Sequence, residues 1–181
     1  MIIKLQQFLK KYSSKKFLFI GFGVILLVNL VLFPMFPKLF GLEILPNEIL
    51  DLKFGYNQLE VQHIFDNLQE NGRFVYQLST FFIDIPYLIF YSFYYAVLLN
   101  YLFERKQLNK FTFLILLPFC IGIFDLFENI GIITLLNTYP VLNTNVVLFS
   151  SLATILKWSF AILTILTVIL LIFSRERKTT S

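Results

Sequence analysis

Four long apolar runs organise this chain: residues 17–36, 74–103, 111–136 and 146–173. Each reaches the roughly 20 residues that a helix rising 1.5 Å per residue needs to cross a bilayer. None alternates with the period of two that marks a membrane barrel strand. The pattern predicts an all-α fold, a four-transmembrane-helix bundle that makes residues 1–181 a single membrane domain. Between the first two runs the periodicity changes. In NQLEVQHIFDNLQENG, Val61, Ile64, Phe65 and Leu68 fall on one helical face. Asn57 and Glu60 have capping-box spacing, and Gly72 can supply the C-terminal break. This predicts a short extracytoplasmic amphipathic helix over about 58–71, lying across the outer ends of the bundle. Residues 37–56, PKLFGLEILPNEILDLKFGY, read as an interfacial loop with Leu39, Phe40, Leu42, Ile44, Leu45, Ile49 and Leu50 near lipid headgroups.

Composition agrees. Of the residues 57% are hydrophobic and 14% charged, where soluble domains carry about 25% charged residues. The distribution of charge adds orientation. Lys4, Lys10, Lys11, Lys15 and Lys16 precede the first run without an acid, and the linker ERKQLNK and the tail RERKTTS are basic. Residues 38–73 instead hold six acids against three bases, and NTYPVLNTN is uncharged. Short basic segments stay cytoplasmic, which predicts a multi-pass protein of the cytoplasmic membrane with both termini on the cytoplasmic side. The first run lacks an A-x-A-like cleavage site and reads as a retained span. The net charge of +4 thus has an orienting role and implies no nucleic-acid partner, although the N-terminal lysines suit anionic membrane lipids. Cys120, the sole cysteine, reads as a small core residue.

Ionisable residues inside the spans change the picture further. Counted from the outer boundaries, Asp84 is about 15 Å deep, Asp125 about 16 Å, Glu128 about 12 Å and Lys157 about 16 Å. One such group at a helix centre costs roughly 2.5–3.5 kcal/mol, so all four should face inward and compensate one another. Asp125, Glu128 and Asn129 share one helical face at i, i+3 and i+4. Lys157 is read as the only buried cation available to them. Ser150, Ser151, Thr154, Ala161 and Thr164 continue a small polar stripe around it. Tyr87, Tyr91, Tyr94 and Tyr95 line one side of the second helix. Pro86 and Pro118 free the carbonyls of Phe82 and Leu114, and such bends open clefts in bundles. Trp158 is expected to face lipid or a neighbouring helix, and Asn29 to hydrogen-bond between helices.

Three functions fit this centre. The leading one is binding of an amphipathic lipid or lipid-linked small molecule, with Asp84, Asp125, Glu128, Lys157, Asn129, Tyr87, Tyr91 and Thr154 at its polar group and Arg73 and His63 near the entrance. The second is an enzyme using carboxylate acid and base chemistry on such a molecule, with Lys157 holding one carboxylate ionised. The third is a structural or accessory subunit with a sealed ionic core. Arg73 can hold a lipid phosphate or simply anchor its helix. His63 lies on the polar side of the outer helix, and no HxxxH, HExxH or CxxC spacing accompanies it, so no metal is expected. No nucleotide loop or nucleophile motif calls for a cofactor or a narrower reaction class.

KFGYNQLEVQHIFDNLQENGRFVYQ, FFIDIPY, IFDLFENIGI and SSLATILKW together resemble a family of small, uncharacterised bacterial four-helix integral membrane proteins with an intramembrane D-x-x-E-N element. The resemblance spans about residues 50–173. Its matching points are Gly55, Tyr56, Gly72, Arg73, Tyr76, Asp84, Pro86, Asp125, Glu128, Asn129 and Lys157. It implies a bacterial cytoplasmic membrane and the four-helix architecture, and no reaction.

Overall fold

The computed structural model describes residues 2–174 and, of Asn109 and Lys110, only the backbone. The basic tail RERKTTS lies outside the described residues. Six α-helices of nine residues or more carry the fold: α1 (Ile2–Lys10), α2 (Lys15–Leu27), α3 (Gln58–Ser79), α4 (Ile85–Lys106), α5 (Leu117–Thr138) and α6 (Thr144–Phe173). Short π and 3-10 turns extend them into four segments long and apolar enough to cross a membrane: Lys15–Phe40, Gln58–Lys106, Phe111–Thr138 and Thr144–Phe173. Among the described residues there is no strand.

The amphipathic helix expected over about 58–71 forms the first part of α3. The Asn57 side chain accepts the Glu60 N–H at 3.0 Å, and the Glu60 carboxylate accepts the Asn57 N–H at 3.0 Å, which satisfies orphan donors at both ends of the box. Val61, Ile64, Phe65 and Leu68 bury their stripe against Ile132, Leu135 and Leu136 of α5 and Val147 of α6. The break comes at Gln69, with φ 54° and ψ −172°, rather than at Gly72. Gly72 is instead buried within the continuing helix, where an added Cβ would crowd Leu68. Arg73 donates to the Phe65 carbonyl at 2.7 Å, spanning the break.

At the other end of the bundle, α1 occupies the basic N-terminal segment, where the apolar pattern assigns no element. Its Leu9 is fully buried among Ala96, Val97, Leu99, Leu102, Phe103, Ile115 and Leu171, while Lys4 and Lys10 stay exposed. Lys10 also pairs with Glu104 of α4 at 3.4 Å. Lys106 is buried here as well and donates to the Ile172 and Ser174 carbonyls at the end of α6, so Lys157 is not the only buried cation. One apolar cluster therefore closes each end of the bundle, and the polar residues lie between them.

Two π turns mark that middle layer, Val28–Leu32 and Thr80–Asp84. Pro34 and Pro86 follow them closely. The Ile85 N–H reaches back to the Thr80 carbonyl, so the extra residue absorbs the ladder disruption that a mid-span proline causes. Pro118 acts differently from the expected kink. The third span opens as a 3-10 segment, Asn109–Leu116, and Pro118 stands in the first turn of α5, where its missing N–H would have no partner anyway. In lipid, helices associate through close van der Waals packing, and α5 meets α6 at Gly131. A Cβ there would stand 2.5 Å from the Ser150 Cβ.

Candidate functional site

Seven of the sequence-selected residues meet in the middle layer. On α5, Asp125 is 4% exposed and Glu128 and Asn129 are 0% exposed; Lys157 on α6 is 8% exposed. The Lys157 ammonium lies 3.3 Å from Asp125 Oδ1 and closer still to Glu128 Oε2. Thr154, one turn earlier on α6, donates to Glu128 Oε1 at 2.6 Å. Asp84, at the end of the second π turn, accepts from Asn129 Nδ2 at 2.5 Å. The Tyr91 hydroxyl donates to Asp125 Oδ2 at 2.6 Å. Each charged group thus has a partner across a helix interface, as burial in a low-dielectric interior demands.

The loop between the first two spans contributes a fourth carboxylate, Asp51, which lies outside the apolar runs. Beyond the short 3-10 turn Pro46–Glu48, the chain turns inward, buries Leu50 completely and presents Asp51 to the centre. The Tyr76 hydroxyl donates to Asp51 Oδ2 at 2.9 Å and accepts the Leu50 N–H at 3.1 Å. The Asp51 carbonyl accepts from Trp158 Nε1 at 3.1 Å and from Lys157 Nζ at 3.4 Å. Burial pushes the Asp51 carboxyl above the ordinary aspartate range, against the pull of Lys157; the nearby Asp125 adds to the rise, and the Tyr76 hydrogen bond opposes it.

The chain then reaches Gly55, whose φ of 139° lies where L side chains are strained, and Tyr56. The Tyr56 N–H donates to Ser151 Oγ at 2.8 Å, and its hydroxyl lies 2.6 Å from Ser150 Oγ. Burial raises the Tyr56 hydroxyl pKa, and the charge of Glu128 adds to it. The end of the loop, Leu50 to Tyr56, is therefore stitched to α3 and α6, and Leu50 is buried rather than near headgroups.

A cavity of about 610 Å³ adjoins this network. Asp51, Asp84, Asp125, Lys157 and Trp158 line its polar side, with Asn29, Tyr87, Tyr91 and Tyr95 beside them. Asn29, in the first π turn, donates to the Tyr87 hydroxyl at 2.5 Å. At its rim stand apolar side chains that are about half exposed: Leu45 at 50%, Leu52 at 54% and Ile165 at 52%. Glu128, Asn129 and Thr154 do not line it and form a sealed backing behind Asp84, Asp125 and Lys157. Tyr94, expected on the same side as the other tyrosines, is buried and donates to the Leu18 carbonyl at 3.2 Å.

Other expectations need correction. Trp158, expected to face lipid or a neighbouring helix, lines the cavity and bonds to the loop at Asp51. Arg73 and His63 line no part of the cavity. Arg73 is committed to Phe65 and stacks 4.2 Å over the Tyr139 ring; His63 is exposed, with Asn67 at 3.4 Å. Among the described residues no cluster of three or more His, Cys, Asp or Glu side chains has metal-holding geometry. Asp51 did have a sequence signal, being an acid flanked by Leu50 and Leu52, whereas counting depth along apolar runs could not reach it. Compared with protein-family models, curated proteins and solved structures, the chain matches none of them.

Proposed function

We propose that the protein binds an amphipathic lipid or lipid-linked molecule whose polar group enters the cavity beside Asp84, Asp125 and Lys157. The observation that carries this reading is the cavity itself, which joins the buried charges of Asp125 and Lys157 to half-exposed Leu45, Leu52 and Ile165. A network serving only to fix helix register needs no such space, and a purely apolar ligand needs no such charge. The fixed partners of Asp84, Asp125 and Lys157 preorganise the polar side, while the half-exposed rim suits a hydrocarbon chain. Charge asymmetry puts both termini in the cytoplasm, so the loop side faces outward and the ligand comes from the outer leaflet. Single cysteines test that placement: one at Asn67 reacts with an impermeant thiol reagent in intact cells, and one at Gln107 is protected.

The binding test is mass spectrometry of lipid retained through purification, compared between wild type and Asp84→Asn. A specific lipid in wild type, depleted in a variant of unchanged melting temperature, supports the proposal. Equal retention at equal stability counts against it. A second reading, acid and base catalysis on the bound molecule, is favoured by the Tyr91 hydroxyl and Asp125 carboxylate meeting at the cavity wall. It would be distinguished by a changed mass of the retained species in wild type and not in Tyr91→Phe.

A further inference from the structure

We propose that the polar group is a protonated amine carried on the lipid, recognised through its N–H donors; this rests on the binding reading above and narrows it. Hydrogen-bond capacity around the cavity is uneven. A lysine ammonium has three N–H donors, and Lys157 has three acceptors in reach: Asp125, Glu128 and the Asp51 carbonyl. The Trp158 N–H is spent on that same carbonyl. Asn29 uses its amide on the Ile25 carbonyl and the Tyr87 hydroxyl. An entering phosphate or carboxylate would therefore find no free charged donor at the inner side, and Lys38 stands only at the exposed mouth.

Acceptors are in surplus instead. Asp51 Oδ1 is buried without a hydrogen-bond partner, and Asp84, which lines the cavity, accepts from Asn129 through Oδ2. Four lining carboxylates, those of Glu43, Asp51, Asp84 and Asp125, stand against two lining lysines. Lys157 is further neutralised from behind by Glu128. A primary ammonium supplies both what is missing in charge and what is missing in N–H groups, and charge-assisted bonds of that kind are about twice as strong as neutral ones. The aromatic residues Tyr87, Tyr91 and Trp158 line the cavity, and a ring face favours a cation over an anion. A quaternary ammonium has the charge without the donors, so it leaves the carboxylate oxygens unmet.

The chain supplies its own reporter, since Trp158 is the sole tryptophan and lines the cavity. The protein is placed in phosphatidylcholine nanodiscs, whose headgroups carry no N–H, and titrated with probes of one chain length: hexadecylamine, hexadecyltrimethylammonium, hexadecanol and hexadecyl phosphate. Tryptophan fluorescence is read alongside native mass spectrometry of bound probe. The expected result is saturable binding of the amine, about tenfold tighter than the quaternary ion and the alcohol, with the phosphate weakest. Asp84→Asn should weaken the amine about tenfold and leave the alcohol unchanged. Equal affinity for amine and quaternary ion overturns the N–H requirement, and preference for phosphate or alcohol overturns the amine; in both cases the binding reading stands. No binding of any probe overturns both. If Asp84→Asn does not fold, the wild-type series still decides.

Discussion

The Trp158 indole and the Asp51 peptide carbonyl are joined by a hydrogen bond of 3.1 Å, and Lys157 approaches the same oxygen at 3.4 Å. Adjacent residues of α6 thus grip one peptide group of a loop more than a hundred residues earlier. The loop forms one wall of the cavity, so this grip couples cavity shape to the ionic centre.

Trp158→Phe keeps an aromatic ring and removes the donor. A typical net hydrogen bond contributes about 1 kcal/mol. Amide hydrogens over residues 49–56 should then exchange about fivefold faster, with little change in α5. Unaltered exchange would mean that Tyr56 and Tyr76 hold the loop without Trp158.

A second expectation concerns pH. The Asp51 carboxyl, raised by burial above its ordinary 3.8, binds its proton more tightly in the folded protein than in the unfolded chain. Stability from this group is fully present below the unfolded value and is lost as pH rises from 3.8 through the higher folded value. Asp51→Asn should remove that part of the decline. Thermal melts of both proteins across this pH range make the comparison, and parallel slopes would assign the dependence to other groups.

The sequence made the spans and the depth of Asp84, Asp125, Glu128 and Lys157 legible because inserting charge into lipid is costly enough to force convergence. Helical periodicity also exposed the Val61–Leu68 stripe. It could not place Asp51, Tyr56 or Trp158. Their positions follow from a loop that folds inward, and loop direction is set by scattered contacts such as Tyr56 to Ser151 rather than by a repeating pattern. Arg73 misled for a related reason: it reaches back to the Phe65 carbonyl across a helix break at Gln69 that no repeating pattern announces.

Two glycines offer a packing test with an internal control. Gly131→Ala puts a methyl 2.5 Å from the Ser150 Cβ, forcing α5 and α6 apart where Ser150 also supports Tyr56 and the Glu128 carbonyl. Overpacking of this kind costs about 1–3 kcal/mol, and the melting temperature should fall. Gly23→Ala in α2 meets nothing within 4 Å. It should be neutral or stabilising by up to about 1 kcal/mol through helix propensity. Equal effects at both positions would contradict the close α5–α6 approach.

The ionic centre has a sealed side and a cavity side, and substitutions can tell them apart. Lys157→Met strips the counter-charge from Asp125 and Glu128, and breaking a buried pair from one side destabilises by about 3–5 kcal/mol. Adding Glu128→Gln removes the deeper carboxylate, while Asp125 keeps its bond from Tyr91. The double variant should therefore recover much of the loss, with a coupling above about 1 kcal/mol in a double-mutant cycle. Additive losses would show that Lys157 acts on Glu128 only weakly. Lipid retention then separates the two sides of the centre. Glu128 lies behind the cavity wall, so Glu128→Gln alone should lower stability and leave retained lipid per folded protein unchanged. Asp84, at the wall itself, should show the reverse: near-native melting in Asp84→Asn with depleted lipid. Depletion in both variants, in proportion to their loss of stability, would make the network one structural unit with no separate binding face.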